Sequence, residues 1–139
     1  MKELTNIKIE IDRQRLIITI ARPEKHNVLD NTTLEELRSA IQGAYDEKDI
    51  KGVIITGEGN NAFVAGADIK EIANLNELNG RKFSEKGQEI FALIENLHKP
   101  VVAAIDGYAL GGGCELAMAC HIRVCTSKSM FGFPEVTLG

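Results

Sequence analysis

Two glutamates in this sequence stand where a carboxylate has no ordinary reason to be. Glu115 is embedded among Cys114, Leu116, Ala117 and Met118, and Glu135 follows Pro134 among Phe131, Phe133, Val136 and Leu138. A lone carboxylate in apolar company is expensive to bury unless something pairs with it. Acid/base chemistry near neutral pH asks for such a setting, because desolvation raises a carboxyl pKa towards the working range. Taken singly, each glutamate is equally open to a plainer reading as a charge at a helix start or on a solvated edge.

The second ingredient is backbone. Gly66-Ala67-Asp68 and Gly111-Gly112-Gly113 each follow an apolar run and lead into a stretch of helical character. That order presents unpaired N–H groups at a helix amino terminus, where negative charge is stabilised. Two such loops can converge on one oxygen, although a tight turn with close packing explains either alone. Neither fits a phosphate template, since Gly107 to Gly113 lacks the lysine and hydroxyl of a P-loop and the GxGxxG spacing of a dinucleotide fold. Asp68 is placed to cap the helix it precedes as readily as to touch a ligand. The histidines carry less: His26 stands in a polar connector, His98 ends a helix where a cation complements the dipole, and His121 opens a strand without a Ser or Cys partner at motif spacing. Cys114, Cys120 and Cys125 match neither CxxC nor a zinc pattern and read as buried free thiols. No metal site is expected.

These groups need elements to hold them. Ile7, Ile9 and Ile11 alternate with polar residues, Asp12-Arg13-Gln14 makes a turn, and Leu16 to Ile20 is a β-branched run, which predicts an opening hairpin. After a polar connector through Asn27, Asp30 to Thr33 offers helix caps, with Glu35 three residues after Thr32. Leu34, Leu37, Ile41 and Ala44 then form one apolar helical stripe. Gly52 to Thr56 and Val101 to Ile105 read as strands buried on both faces. Between them lie a glycine-punctuated loop from Gly57 to Asp68 and a helix striped by Phe83, Gly87, Ile90, Ile94 and Leu97 and ended by Pro100. Gly107 to Gly113 is expected as a turn, Cys114 to Ala119 as a small-residue helix, and His121 to Cys125 as a further strand. Right-handed crossovers lay such strands parallel, so the class is α/β.

Composition bounds the answer. The chain has 139 residues, 44% apolar and 26% charged, which suits one domain with a sizeable core. Sixteen basic against twenty acidic residues leave a net charge of −4 and argue against nucleic acid or an anionic membrane as the main partner. The amino terminus has no signal-type apolar core, and no window approaches the about 18 apolar residues of a membrane span, so a cytoplasmic protein is expected.

Four segments resemble the crotonase superfamily, and enoyl-CoA hydratases in particular. Arg22 to Leu29 resembles the family's first acyl-CoA loop, Phe63 to Lys70 its central signature, Lys99 to Leu116 its longest, and Phe131 to Gly139 the segment carrying a second glutamate. The resemblance implies a crotonase-like spiral of repeated strand-strand-helix units, here a single core over 1–139 that is the amino-terminal portion of a longer domain and incomplete at its carboxyl end. It implies that the backbone N–H groups of Ala67 and Gly112 form an oxyanion hole for a thioester carbonyl, and that Glu115 and Glu135 hold a water between them as base and acid. Ala65, Asp68, Ile69 and Lys70 then line the coenzyme A site, with Lys25 and Val28 near the adenine end. Phe133 stands where close hydratases often carry a polar residue, which implies a more apolar pocket. The implied substrate is an acyl-CoA of fatty acid metabolism, with coenzyme A part of the substrate and no separate cofactor, and the implied full-length assembly is a trimer or hexamer. Isomerisation or a branched-chain hydro-lyase step, and a non-catalytic acyl-CoA-binding or subunit-interaction fragment, are the alternatives. Both glutamates together favour hydration, because family isomerases usually keep only the second.

Overall fold

The computed structural model describes residues 3–138, leaving Met1, Lys2 and Gly139 outside the described residues. In chain order its strands are β1 (Ile7–Asp12), β2 (Arg15–Ile20), β3 (Gly52–Gly57), β4 (Ala62–Val64), β5 (Val101–Ile105), β6 (Tyr108–Leu110), β7 (Ile122–Cys125) and β8 (Met130–Gly132). Its α-helices are α1 (Asn31–Asp46), α2 (Ile69–Ala73), α3 (Glu77–Glu95), α4 (Gly112–Ala119) and α5 (Glu135–Leu138), and a single 3-10 turn spans Pro23–Lys25.

The expected hairpin is present: β1 and β2 pair antiparallel, and Arg13 and Gln14 take the positive φ that a two-residue hairpin turn requires. From β2 the sheet continues parallel through β3, β5 and β7, giving the order β1-β2-β3-β5-β7. Alternation decides which side of each strand is sealed: Leu16, Ile18 and Ile20 on β2, Val53 and Ile55 on β3, and Val101, Ala103 and Ile105 on β5 are all buried. Against them pack Leu34, Leu37 and Ile41 of α1 and Ile90 and Ile94 of α3. Gly52, Ile54 and Thr56 on β3, and Val102 and Ala104 on β5, are only partly covered, so the strands read as doubly buried are sealed on one face. All four residues of β7 are exposed.

A second sheet escaped the sequence reading. Parallel strands β4, β6 and β8 form a three-stranded sheet, β4 and β6 inside the stretches expected to be loop and turn and β8 at the start of the segment that carries Glu135. Each has three residues, too short for a period-2 signal. Its presence makes the repeat explicit: β3-β4-α3, with the short α2 inserted before α3, β5-β6-α4 and β7-β8-α5 each place one strand in the large sheet, one in the small sheet, and then a helix. This is the expected strand-strand-helix spiral.

Several local expectations are corrected. Of the caps offered by Asp30 to Thr33, Asp30 is the one that α1 uses, its carboxylate accepting from the Thr33 N–H at 2.7 Å. The α3 helix ends at Glu95, with Asn96 as its C-cap, so Leu97 is buried beyond the helix and Pro100 is not the stop. His98 caps nothing in α3 and meets Tyr45 edge-on with ring centres 5.0 Å apart. The cation at a helix end is Lys99, whose ammonium donates to the Ala44 and Glu47 carbonyls at the end of α1. Cys114 and Cys120 are buried free thiols as expected, but Cys125 is exposed on β7. No helix among the described residues is long and apolar enough to cross a membrane.

Candidate active site

The first loop leaves β4 at Val64 and is held from the side by Leu29. Leu29 donates to the Gly66 carbonyl and accepts from the Asp68 N–H, both at 2.8 Å, the two bonds of a parallel bridge. In that pattern the residue between the bonded pair turns its own amide the other way, and the Ala67 N–H finds no acceptor among the described residues. Gly66 reaches φ +108°, a conformation that favours glycine. Asp68 caps α2, accepting from Lys70 and Glu71, which realises its structural reading.

The second loop leaves β6 and enters α4. Gly111, at φ +52°, donates to the Gly132 carbonyl at 2.8 Å and accepts from the Glu115 N–H at 3.0 Å. A Cβ built on Gly113 would stand 1.9 Å from the Val64 carbonyl oxygen, so only glycine lets α4 seat against β4. Gly112 is the first residue of α4, where a helical N–H has no partner within the helix. A Cβ built on it would lie 3.9 Å from the Ala67 nitrogen. The two loops thus bring their free amides to one place.

A cleft of about 590 Å³ opens there, and its lining joins Ala67 and Gly112 to Glu115 and Glu135, with Leu29, Leu34, Phe83, Phe91 and Phe133 supplying apolar walls. The four groups singled out as chemical by sequence therefore share one cavity. A Cβ on Gly111 would lie 2.0 Å from a Glu135 carboxylate oxygen, which places that carboxylate against the glycine turn. Glu115 and Glu135 are both exposed rather than buried, a correction to the burial their apolar neighbours suggested. The reason is geometric: Cys114, Leu116 and Ala117 turn into the core while Glu115 projects from the same helix into the cleft. Burial pushes the Cys114 thiol upward; a backbone bond from Gly132 opposes this, and the charges of Glu115 and Glu135 add to it.

Lys25, Val28, Ala65, Asp68, Ile69 and Lys70 lie beside the cleft rather than in its lining. Lys25, Ile69 and Lys70 are exposed, and Val28, Ala65 and Asp68 are half-buried. Their two segments are zipped together, with the Ala65 N–H donating to the His26 carbonyl at 3.1 Å beside the Leu29 bridge. Among the described residues no three His, Cys, Asp or Glu side chains group as a metal site.

Two positioning residues were missed in the sequence. Asn27 is fully buried at φ +56°; its Oδ1 accepts from the Arg22 N–H at 2.8 Å, and its Nδ2 donates to the Glu58 and Ala62 carbonyls. Arg22, 8% exposed, pairs with Asp30 at 2.8 Å and Asp68 at 3.8 Å and donates to the Val28 carbonyl. One guanidinium therefore ties the caps of α1 and α2 to the loop that holds Ala67. An asparagine after a polar connector carries no periodic signal, and only a preference of Asn for positive φ hinted at it.

Comparison with known proteins bears on the family and the fold. Residues 10–139 match the family described as enoyl-CoA hydratase/isomerase. The short-chain-enoyl-CoA hydratase of Clostridium acetobutylicum is 45% identical over 137 residues, covering 99% of this chain and 52% of that protein. The crotonyl-CoA hydratase of Syntrophomonas wolfei subsp. wolfei is 46% identical over 134 residues, covering 96% and 52%. Among solved structures, the enoyl-CoA hydratase of Bacillus anthracis superposes with a TM-score of 0.93 at 37% identity, covering 97% of this chain and 53% of that one. The chain spans about half the length of the curated relatives it matches. With fold and family match in agreement, the chain belongs to the enoyl-CoA hydratase/isomerase family of the crotonase superfamily.

Proposed function

We propose that the protein carrying this chain hydrates 2-enoyl-CoA thioesters. The observation that supports the reading is the single cleft in which two unpaired backbone amides, Ala67 and Gly112, face two carboxylates, Glu115 and Glu135. Adding water across C2=C3 moves negative charge onto the thioester oxygen as an enolate forms. Preorganised amides stabilise that charge without reorganising, and loss of one such donor typically costs about 10²- to 10³-fold in rate. Glu115 takes a proton from the water as its oxygen bonds to C3, and Glu135 as a carboxylic acid gives a proton to C2. The thioester oxygen then returns its charge, and proton exchange with solvent at the two exposed carboxylates resets them.

The zipped loops beside the cleft suit the coenzyme A moiety, with Ala65, Asp68, Ile69 and Lys70 along it and Lys25 and Val28 towards its adenine end. The lysines offer positive charge to phosphates. Asp68, engaged as a cap and with Arg22, contributes through its backbone and by holding the loop. No metal or separate cofactor is required by this chemistry. Further parts of the proposal are a role in fatty acid metabolism, a cytoplasmic location, and a homo-trimer or hexamer in the full-length form.

The test is a panel of 2-enoyl-CoA thioesters incubated with the full-length protein, following loss of the conjugated thioester chromophore and appearance of the 3-hydroxyacyl product. Product formation that collapses in Glu115→Gln is expected. Double-bond migration without hydration, surviving in Glu115→Gln, would replace this reading with isomerisation.

A further inference from the structure

Gly87 falls on the apolar stripe of α3 in the sequence, between Phe83 and Ile90, as if a small residue were needed against the core. The structure removes that reason. A Cβ built at Gly87 meets nothing within 4 Å. A glycine inside a helix costs stability relative to alanine, so this one weakens α3 without relieving any close approach. Its surroundings supply a different account. Gly87 lines the candidate active-site cleft, one turn from Phe83 and one turn from Phe91, both half-buried and both lining the same wall. Residues four apart on a helix stack along one face, so the i, i+4 row of this wall runs aromatic, gap, aromatic, with the uncharged polar Ser84 and Gln88 of the same helix beside it. Across the cavity stand Gly112, Glu115 and Phe133.

We infer that Gly87 is a specificity-determining position: the gap it leaves between Phe83 and Phe91 receives the hydrocarbon tail of the substrate and sets the longest acyl chain accepted. This rests on the acyl-CoA reading above. The groups before and after the gap on that row are aromatic and its polar neighbours Ser84 and Gln88 are uncharged, so the gap gains from each methylene it takes out of water and offers no charge to a polar tail. A branched side chain at 87 fills the same volume from the protein side, and the tail that would have entered is displaced.

The experiment uses the full-length protein and 2-enoyl-CoA thioesters of four, six, eight and ten carbons, with kcat/KM measured for each. In Gly87→Leu the ratio of eight- or ten-carbon to four-carbon kcat/KM falls by about tenfold or more, the range expected when a pocket is closed to one or more methylenes. In Gly87→Ala the ratio moves the same way by less and Tm rises, because the helix gains a better former in open space. Gly43→Ala, on α1 with equally open space around its Cβ, raises Tm without moving the ratio. Should Gly87→Leu not fold, the alanine variant decides alone. A Gly87→Leu ratio within about twofold of the unsubstituted protein, a Gly87→Ala ratio that does not fall beyond measurement error, a lowered Tm in Gly87→Ala, or an unsubstituted protein confined to four carbons overturns the inference while leaving hydration intact. An unsubstituted protein that hydrates none of the four overturns the proposed function itself.

Discussion

Glutamine differs from glutamate by one group and almost no volume, so Glu115→Gln and Glu135→Gln separate proton transfer from shape. Each is expected to remove most hydration while acyl-CoA binding, measured by calorimetry, stays within about tenfold. Binding lost in parallel with turnover would mean that the carboxylates hold the substrate instead. A second prediction concerns Cys120, which is 3% exposed and has its thiol pushed up to about 12 by burial, with the Arg123 charge acting in the opposite direction. The folded state keeps the proton over a range in which the unfolded chain has released it. Stability from this group is therefore complete below the ordinary thiol value of 9.0 and is lost as pH rises from there towards about 12. Melting curves between neutral pH and pH about 10 should fall less steeply for Cys120→Ala than for the unsubstituted protein. Equal slopes would show that other groups govern alkaline unfolding.

Among the elements, α4 offers the sharpest test, because Gly112 occupies its first position. Proline is tolerated there, where the N–H has no helical partner to lose. The nearest atom to a Cβ at Gly112 is Leu29 Cδ1 at 3.5 Å, ordinary contact, so a side chain fits. Gly112→Pro is thus expected to keep Tm within a few degrees and lower kcat by about 10²- to 10³-fold, since it deletes one donor amide. Gly112→Ala, which keeps the amide, should retain far more activity; equal losses in both would trace the effect to volume in the cleft. Gly113→Ala should instead prevent α4 from seating, given the Val64 carbonyl in the way. The same helix shows what sequence could convey. Glu115 and the glycine run were visible because their types clash with their neighbours, and the long strands were visible because five or six residues suffice for a pattern. The three-residue strands β4, β6 and β8 were not, and neither was the tie between Arg22, Asp30 and Asp68, which joins residues far apart in the chain. Exposure of Glu115 was misjudged because helical phase, not composition, decides which way a side chain leaves α4.

Considered as a molecule, the described residues are unevenly covered. Ile122 and Val124 on β7, Met130 and Phe131 on β8, and Met118 on α4 are each exposed by about half or more. Apolar surface left in water costs about 25 cal/mol per Å², and β7 sits at an open sheet edge. Produced by itself, the 139-residue chain is expected to elute from size exclusion ahead of its monomer mass, and light scattering would confirm association. A monodisperse monomer would show that this surface is tolerated. The small sheet carries a further consequence. Its three parallel strands each end at a piece of the cleft: β4 runs out to Ala67, β6 to Gly112 and β8 to Glu135. The site is therefore the rim of one sheet rather than a meeting of independent loops. Amide hydrogen exchange should register that unity. Protection factors in β4, β6 and β8 should rise together when an acyl-CoA binds, as one cooperative opening unit distinct from β2, β3 and β5.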